Sequence, residues 1–494
     1  MAYRNSARRM VVCILAALLS GCAAVPAPST KPEAPVPNRF ARAEEAFAET
    51  PGARRDPVDW QHYFLDPNLL RVLKLALAHN RDMKSAVLRV AEARAQHGIR
   101  RSDRFPTLDG QADLARSRTP ESLSPTGKAE TGSVYEVAVG VAGWELDFWG
   151  RVRSLEKAAL EQYLASEAAQ RAFTVSLLAE VANTWLTQRE YDRRIELARQ
   201  SIATREESLR IFTRRFELGA ATRLELTQVR ALLVQAQTLA VHLEQARENN
   251  GHYLAFLAGA TVDTTPRSKV LDGKAVLLPI APGLPSDLLV HRPDIIAAEH
   301  RLAAAHADIH AARVAFFPRI SLTGSLGLAG PELDNLFESA SRTWSFMPAV
   351  TVPIFNAGRL RASLDLAEIR RDMAVAEYER TIQQAFREVS DALSARHWLM
   401  QQLDIQQQGM ATQRERAHLA QLRYDNGTTS YLDVLDAQRE LLQAEQETVQ
   451  TQRLLLSSQV NLYAALGGGA LGQGASMSVF PQADSSRHRL REHR

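Results

Sequence analysis

Few side chains in this chain could do chemistry, and their spacing is mostly wrong for catalysis. His306 and His310 are four residues apart, the separation of a metal-ligand pair on one helical face. No third ligand shares their phase, and His300 is off it. Gly324-x-x-Gly327-x-x-Gly330 has the glycines of a phosphate loop but lies in a strand-like stretch that opens no helix. No Ser/His/Asp or Cys/His set is evident, so neither an enzyme, a metal nor an organic cofactor is expected. The remaining polar signals are acid–base pairs at helical spacing. Asp436 precedes Arg439 by three residues, placing a carboxylate and a guanidinium on one face. Thr222-x-x-Glu225 has the form of a capping box, and Ser430-x-x-Asp433 nearly so.

The elements that position these pairs follow from composition. The 494 residues are 45% hydrophobic and 23% charged, which excludes disorder along the whole chain. No apolar run after residue 20 is long enough for a membrane-spanning helix. Two cysteines, Cys13 and Cys22, exclude a disulfide scaffold. Setting aside Arg4, Arg8 and Arg9, the remaining basic residues equal the 56 acidic ones, so no electrostatic grip on nucleic acid is expected. Those three arginines and the apolar stretch Val11 to Leu19 form a signal peptide over residues 1–21. It ends Leu19-Ser20-Gly21-Cys22, which resembles the bacterial lipobox. That resemblance implies a mature N-terminus at Cys22 carrying an S-diacylglycerol and an N-palmitoyl group, an anchor strong enough for stable membrane attachment. Five prolines between Ala23 and Asn38 make a semi-extended linker.

The body reads as a duplication. Arg215-Phe-Glu-Leu-Gly219-Ala-Ala-Thr222-Arg-Leu224-Glu225 aligns with Arg423-Tyr-Asp-Asn-Gly427-Thr-Thr-Ser430-Tyr-Leu432-Asp433 at an offset of 208, and Gly150-Arg151 aligns with Gly358-Arg359 at the same offset. The expected division is 1–21 signal peptide, 22–55 lipidated linker, 56–260 first repeat, 261–284 inter-repeat linker, 285–466 second repeat and 467–494 disordered tail. Each repeat reads helix, strand, strand, helix, helix. The first helices are expected at Pro67 to Arg101 and Pro285 to Val314. Period-two alternation marks strands: Leu108, Gly110, Ala112 and Leu114 against Asp109, Gln111 and Asp113; Trp144, Leu146 and Phe148 against Glu145 and Asp147. Ile320 to Leu328 and Trp344 to Ile354 do the same in the second repeat. Long proline-free segments follow at 150–213 and 358–422. At 1.5 Å per residue each makes a rod of roughly 90 Å, too long for a globular core. Each rod turns at Gly219 or Gly427 into a second helix, ending near Gly251 and Gly467.

Four membrane-length strands cannot close a barrel, because the smallest transmembrane barrels have about eight strands. An open sheet edge in lipid leaves backbone groups unpaired. The strands must therefore close with those of other chains, with Asp109, Asp113, Glu145, Asp147, Ser321 and Thr323 facing a wet interior. A soluble β-sandwich shows the same alternation, and a lipid-anchored coiled-coil scaffold is the competing class, but lipid anchor and rods together favour the barrel.

At this point the chain resembles a family, the outer-membrane efflux lipoproteins of the TolC/OprM-like, nodulation-T type. The carriers are Leu284 to Ile295 with Ala298-Glu299, Phe317 to Gly324, and Tyr424 to Gln438. His291 and His306 depart from the usual residues without disturbing the pattern. The resemblance implies an α+β membrane protein: a trimeric 12-stranded transmembrane β-barrel, four strands per chain, continuous with a long α-helical coiled-coil periplasmic barrel, with an internal two-fold repeat. It implies an outer-membrane exit channel of a tripartite pump, working with a periplasmic adaptor and an inner-membrane RND transporter, a type I secretion duct being the alternative. The positions matching Tyr424, Leu432, Asp433, Asp436 and Arg439 lie at the closed aperture in the family. Leu432 and Asp436 are expected to narrow the pore, while Tyr424 and Arg439 hold the inner hairpin closed. The tips with Gly219, Thr222, Gly427 and Ser430 are expected to dock the adaptor.

Overall fold

The structure is a computed structural model describing residues 32, 34–40, 58–125, 127–263, 276–280 and 285–471. The signal peptide, Cys22, most of the proline-rich linker, residues 264–275 and 281–284, and the tail from residue 472 lie outside the described residues. In chain order the elements are α1 (Trp60–Tyr63), α2 (Pro67–His79), α3 (Arg81–Ser102), β1 (Asp109–Thr119), β2 (Glu130–Glu145), α4 (Arg151–Glu217), α5 (Arg223–Ala258), α6 (Pro285–His291), α7 (Pro293–Val314), β3 (Arg319–Gly330), β4 (Arg342–Thr351), α8 (Arg359–Asp425) and α9 (Tyr431–Ala465). Helices α4 and α8 both have 67 residues, and α5 and α9 have 36 and 35, so the two halves match in element length. The chain forms two compact units: one of His97–Leu160 with Leu302–Val375, the other of Ala34–Gln96, Glu161–Arg301 and Ala376 onward.

The first unit holds one antiparallel sheet in the order β1-β2-β3-β4. Register puts Gly110, Val139, Leu326 and Trp344 in one row across the sheet, with Ala112, Val137 and Leu328 in the next. This face is apolar yet exposed, with Leu326 and Trp344 about 70% accessible. The opposite face carries Asp109, Gln111, Ser321, Thr323, Ser325 and Ser345, the last two bonded at 2.8 Å. A bulge between Val141 and Trp144, with Gly143 at φ 64°, inserts one residue into β2. It shifts the apolar positions from odd numbers (Val137, Val139, Val141) to even ones (Trp144). Reading only the even pattern finds the end of β2 and misses residues 130–143. It also runs too far: Leu146, Asp147 and Phe148 lie beyond the strand.

Two expected interior acids are otherwise engaged. Glu145 receives bidentate bonds from Arg151 (2.9 and 2.7 Å) and pairs with Arg319 at 2.8 Å. Asp147 accepts the backbone N–H groups of Val152 and Arg153, each at 2.9 Å, satisfying two orphan donors at the start of α4.

The second unit is helical. The expected first helices are each interrupted. Asn80 breaks the first into α2 and α3: its Nδ2 donates to Leu257 O (2.9 Å) while its Oδ1 accepts Met83 N–H (2.8 Å). Pro293, which lacks an N–H, breaks the second into α6 and α7. Helix α5 runs through Gly251 and stops at Gly259, in the left-handed conformation at φ 63°. Residues 467–471, expected to begin the disordered tail, instead form a short 3-10 turn around Gly468–Leu471. There Gly468 O accepts from the Tyr463 hydroxyl at 2.8 Å. Tyr463 stacks on Tyr63 at 4.1 Å in a core that also takes Leu69, Leu73, Leu186 and Val460.

A buried ionic cluster joins α9 to α4. Glu190, 2% exposed, accepts from Arg194 (2.8 Å) and from Arg453 (2.7 Å), while Gln446 exchanges two bonds with Arg194. Removing one member of a buried pair leaves an uncompensated charge, at a cost of about 3–5 kcal/mol. Glu190→Gln is expected to lower the heat-denaturation midpoint of the detergent-solubilised protein clearly, whereas Glu207→Gln, at a surface pair with Arg210, should leave it in place.

Candidate channel aperture

Both hairpin tips in the second unit turn on a glycine with positive φ, Gly219 at 71° and Gly427 at 72°. At the first tip the N–H of Ala220 returns to Arg215 O (2.7 Å), and at the second that of Thr428 returns to Arg423 O (2.9 Å). Such turns need a residue without Cβ strain. Thr222 then caps α5 with a complete capping box: its Oγ1 accepts Glu225 N–H at 3.2 Å, and Glu225 Oε2 accepts Thr222 N–H at 2.7 Å. The donors at Thr222 hold the Glu225 carboxyl below its ordinary pKa. Ser430 behaves differently. Its hydroxyl accepts no helix N–H and donates to Asp433 at 3.4 Å, while Thr429 also donates to that carboxylate. The shorter Asp433 side chain does not complete the box that Glu225 completes.

Beyond the tips, α9 seats on the α4/α5 hairpin. Phe212, Val229, Tyr431, Val434 and Leu435 form a small buried cluster, with the Phe212 and Tyr431 rings 4.3 Å apart. The Tyr431 hydroxyl donates to Ser208 Oγ at 2.6 Å, and burial pushes its pKa up. Tyr424 also ties the hairpins together. Arg215 donates to its hydroxyl and lies over its ring, 5.6 Å from the centroid.

Leu432 and Asp436 are one turn apart on α9, Leu432 exposed and Asp436 half-buried. Asp436 pairs with Arg439 on its own helix and with Arg416 of α8 at 2.7 Å. Arg439 also pairs with Glu440 at 3.1 Å. The chain therefore brings Tyr424 against the other hairpin, whereas the ion pairs of Arg439 stay within α9. Arg416 supplies the cross-helix tie within the α8/α9 hairpin. Sequence reading missed Arg416, Arg215, Ser208 and Tyr431 in these roles. None of the four carried a usable signal: at the repeat offset of 208 Arg215 aligns with Arg423, and it is Phe216 that aligns with Tyr424. His310 bonds Ser154 Oγ at 2.9 Å, and burial followed by the nearby Arg371 charge lowers the pKa of His306. Among the described residues, no group of three or more His, Cys, Asp or Glu side chains is placed to hold a metal ion.

An exposed apolar sheet face, with paired helical hairpins of this length, is the make-up of an outer-membrane exit channel. The chain belongs to the outer membrane efflux protein family: a family model of that description matches residues 72–260 and again 284–468. The toluene efflux pump outer membrane protein TtgI of Pseudomonas putida is 45% identical over 410 residues, covering 83% of this chain and 87% of that protein. Among solved structures, a membrane protein from Pseudomonas aeruginosa superposes with a TM-score of 0.86 at 40% identity, over 92% of this chain and 99% of that one. The open state of the Neisseria gonorrhoeae MtrE outer membrane channel gives 0.81 at 34% identity, over 90% and 98%. The protein is thus an outer-membrane component of an efflux pump, and it works with the other components of that pump.

Losing an N-cap side chain costs about 1 kcal/mol, roughly a fivefold change in local opening. Thr222→Ala should speed amide hydrogen exchange at residues 223–226 by about that factor. Ser430→Ala should leave residues 431–434 within about twofold, since Ser430 caps nothing. Equal effects at both tips would contradict the difference in capping.

Proposed function

We propose that three copies of the chain close their sheets into a 12-stranded barrel in the outer membrane, which serves as the exit duct of a tripartite RND-type pump. One observation carries this reading: the sheet exposes its apolar face, and β1 and β4 are its two edges, neither paired on its outer side among the described residues. Unpaired edges are not viable in hydrocarbon, so each must meet an edge of another copy. Two copies would give eight strands, whose interior side chains fill; three leave a water-filled lumen. The polar face with Asp109, Gln111 and Thr323 would line that lumen. The matched element lengths of the two halves support an ancestral duplication. The helical hairpins would form the periplasmic tunnel, with a periplasmic adaptor docking at Gly219, Thr222, Gly427 and Ser430. Cys22 would carry the lipid anchor. The duct is passive and not an enzyme; its cargo is small organic molecules of the kind for which its toluene-pump relative is named.

The narrow end would be built by α9. A symmetric trimer repeats each residue as a ring, so Leu432 would form an apolar ring and Asp436 an acidic one. Arg439 and Arg416 neutralise the acids in part and Arg416 ties α9 to α8, while Tyr424 on Arg215 and Tyr431 on Ser208 hold the inner hairpin against the outer one. Light scattering of the purified protein should give the mass of a trimer, and planar bilayers should show small, infrequent openings. The Asp436→Ala, Arg439→Ala double variant should raise single-channel conductance several-fold; unchanged conductance would remove these residues from the gate. A monomeric, water-soluble protein without conductance would reject the barrel.

A further inference from the structure

The sheet sorts its charges by face. The strand acids Asp109, Asp113, Glu130, Glu136 and Glu145 all lie on the face that carries Gln111 and Thr323. Of the strand arginines, Arg319 shares that face and pairs with Glu145 at 2.8 Å. Arg116, Arg118 and Arg342 lie on the opposite, apolar face. Register sets Arg116 against Ser133, Arg118 against Thr131 and Arg342 against Leu328, and no strand acid shares their face. All three are exposed. None has an ion pair among the described residues, although the strand connections carry Glu121, Glu332, Asp334 and Glu338.

Their place along the strands is as particular as their face. The strand ends at Asp109, Glu145, Arg319 and Thr351 lead to helices, and the other ends are joined by the connections 120–129 and 331–341. The three arginines belong to the second end. The apolar rows run from Ile320 with Val350 to Leu114 with Tyr135 and Gly330. From Ile320 to Gly330 a strand advances about 33 Å, or about 25 Å along the axis of a barrel tilted by about 40°, the height of a transmembrane apolar band. Arg116 and Arg118 occupy the next two rows, at the level of lipid headgroups. Arg342 sits one row inside Tyr135, and its long stem lets the guanidinium reach that level. Cations facing lipid are costly unless they meet anions there, and a guanidinium binds phosphate bidentately.

We propose that Arg116, Arg118 and Arg342 bind the phosphate groups of outer-leaflet lipids, whose acyl chains lie on the apolar rows beneath. This rests on the trimeric barrel proposed above, in which β4 of one copy meets β1 of the next and gathers the three arginines at each seam. Detergent-purified protein, shown to be a trimer by light scattering and to conduct in planar bilayers, is titrated with lipid A carrying two phosphates, and bound lipid is counted by native mass spectrometry. The Arg116→Gln, Arg118→Gln, Arg342→Gln triple variant should bind at least about tenfold more weakly than wild type. Wild type should bind dephosphorylated lipid A as weakly as the variant binds the phosphorylated form. Thr131→Glu, which sets a carboxylate opposite Arg118 and keeps every arginine, should weaken binding severalfold. It carries the test if the triple variant does not assemble. Millimolar inorganic phosphate should leave lipid A bound; displacement would make the ligand a free anion and overturn the lipid. In a conducting trimer, equal affinities of wild type and variants, or undiminished binding of dephosphorylated lipid A, would overturn the site alone. A monomer without conductance would reject the barrel, and the site with it.

Discussion

Backbone N–H and C=O groups at a strand edge must be hydrogen-bonded somewhere, and in hydrocarbon there is no water to do it. In this chain that requirement falls on β1 and β4, the two edges of a sheet whose apolar face is also uncovered. In the proposed barrel both deficits have one remedy, a neighbouring copy that pairs the edges while lipid covers the apolar face. The internal geometry of the sheet serves the same end. The bulge at Val141/Trp144 adds twist and keeps the apolar side chains on one face despite the extra residue. Glu145, in register with Ser321 at the end of the polar face, and Asp147, just beyond the strand, meet the start of α4, where they neutralise arginines and cap a helix.

The attachment of α9 to the outer hairpin shows which forces set closure and which set character. Exposed ion pairs contribute about 0–1 kcal/mol, and Asp436 with its two arginines is of that kind. Burying a single large apolar side chain contributes about 1.5–3 kcal/mol. The cluster of Phe212, Val229, Tyr431, Val434 and Leu435 therefore supplies most of the seating energy near the tip. Its one buried polar bond, Tyr431 to Ser208, fixes the register of α9. The Asp436 group contributes little to holding the helix. Farther along, the buried Glu190 cluster is a second attachment, strong because its charges are both desolvated and matched.

Legibility in the sequence followed the range of the interactions involved. The long helices were readable because proline-free amphipathic runs and glycine turns act locally; observed limits of 151–217 and 359–425 lie within a few residues of the expected 150–213 and 358–422. Thr222 with Glu225 was readable because a capping box spans three residues. Asp436 with Arg439 was readable for the same reason. Most of β2 was not, because one inserted residue reverses the parity on which period-two reading depends. The break at Asn80 was hidden too, since its cause is the carbonyl of Leu257, far away in the chain.

The sequence by itself determined the element types, the two matched halves, the glycine-turned hairpins, and the family that these features resemble. Periodicity, capping and turn chemistry are decided within a few residues, so one chain read in order contains them. Only the tertiary structure decided which partners meet. Arg215 under Tyr424, Arg416 on Asp436, Ser208 against Tyr431 and the paired Glu190 cluster all join residues 20 to 263 positions apart. The buried Nε and Nη2 of Arg205, left without a partner, are of the same kind, because whether a buried charge finds a partner depends on what packing brings to it.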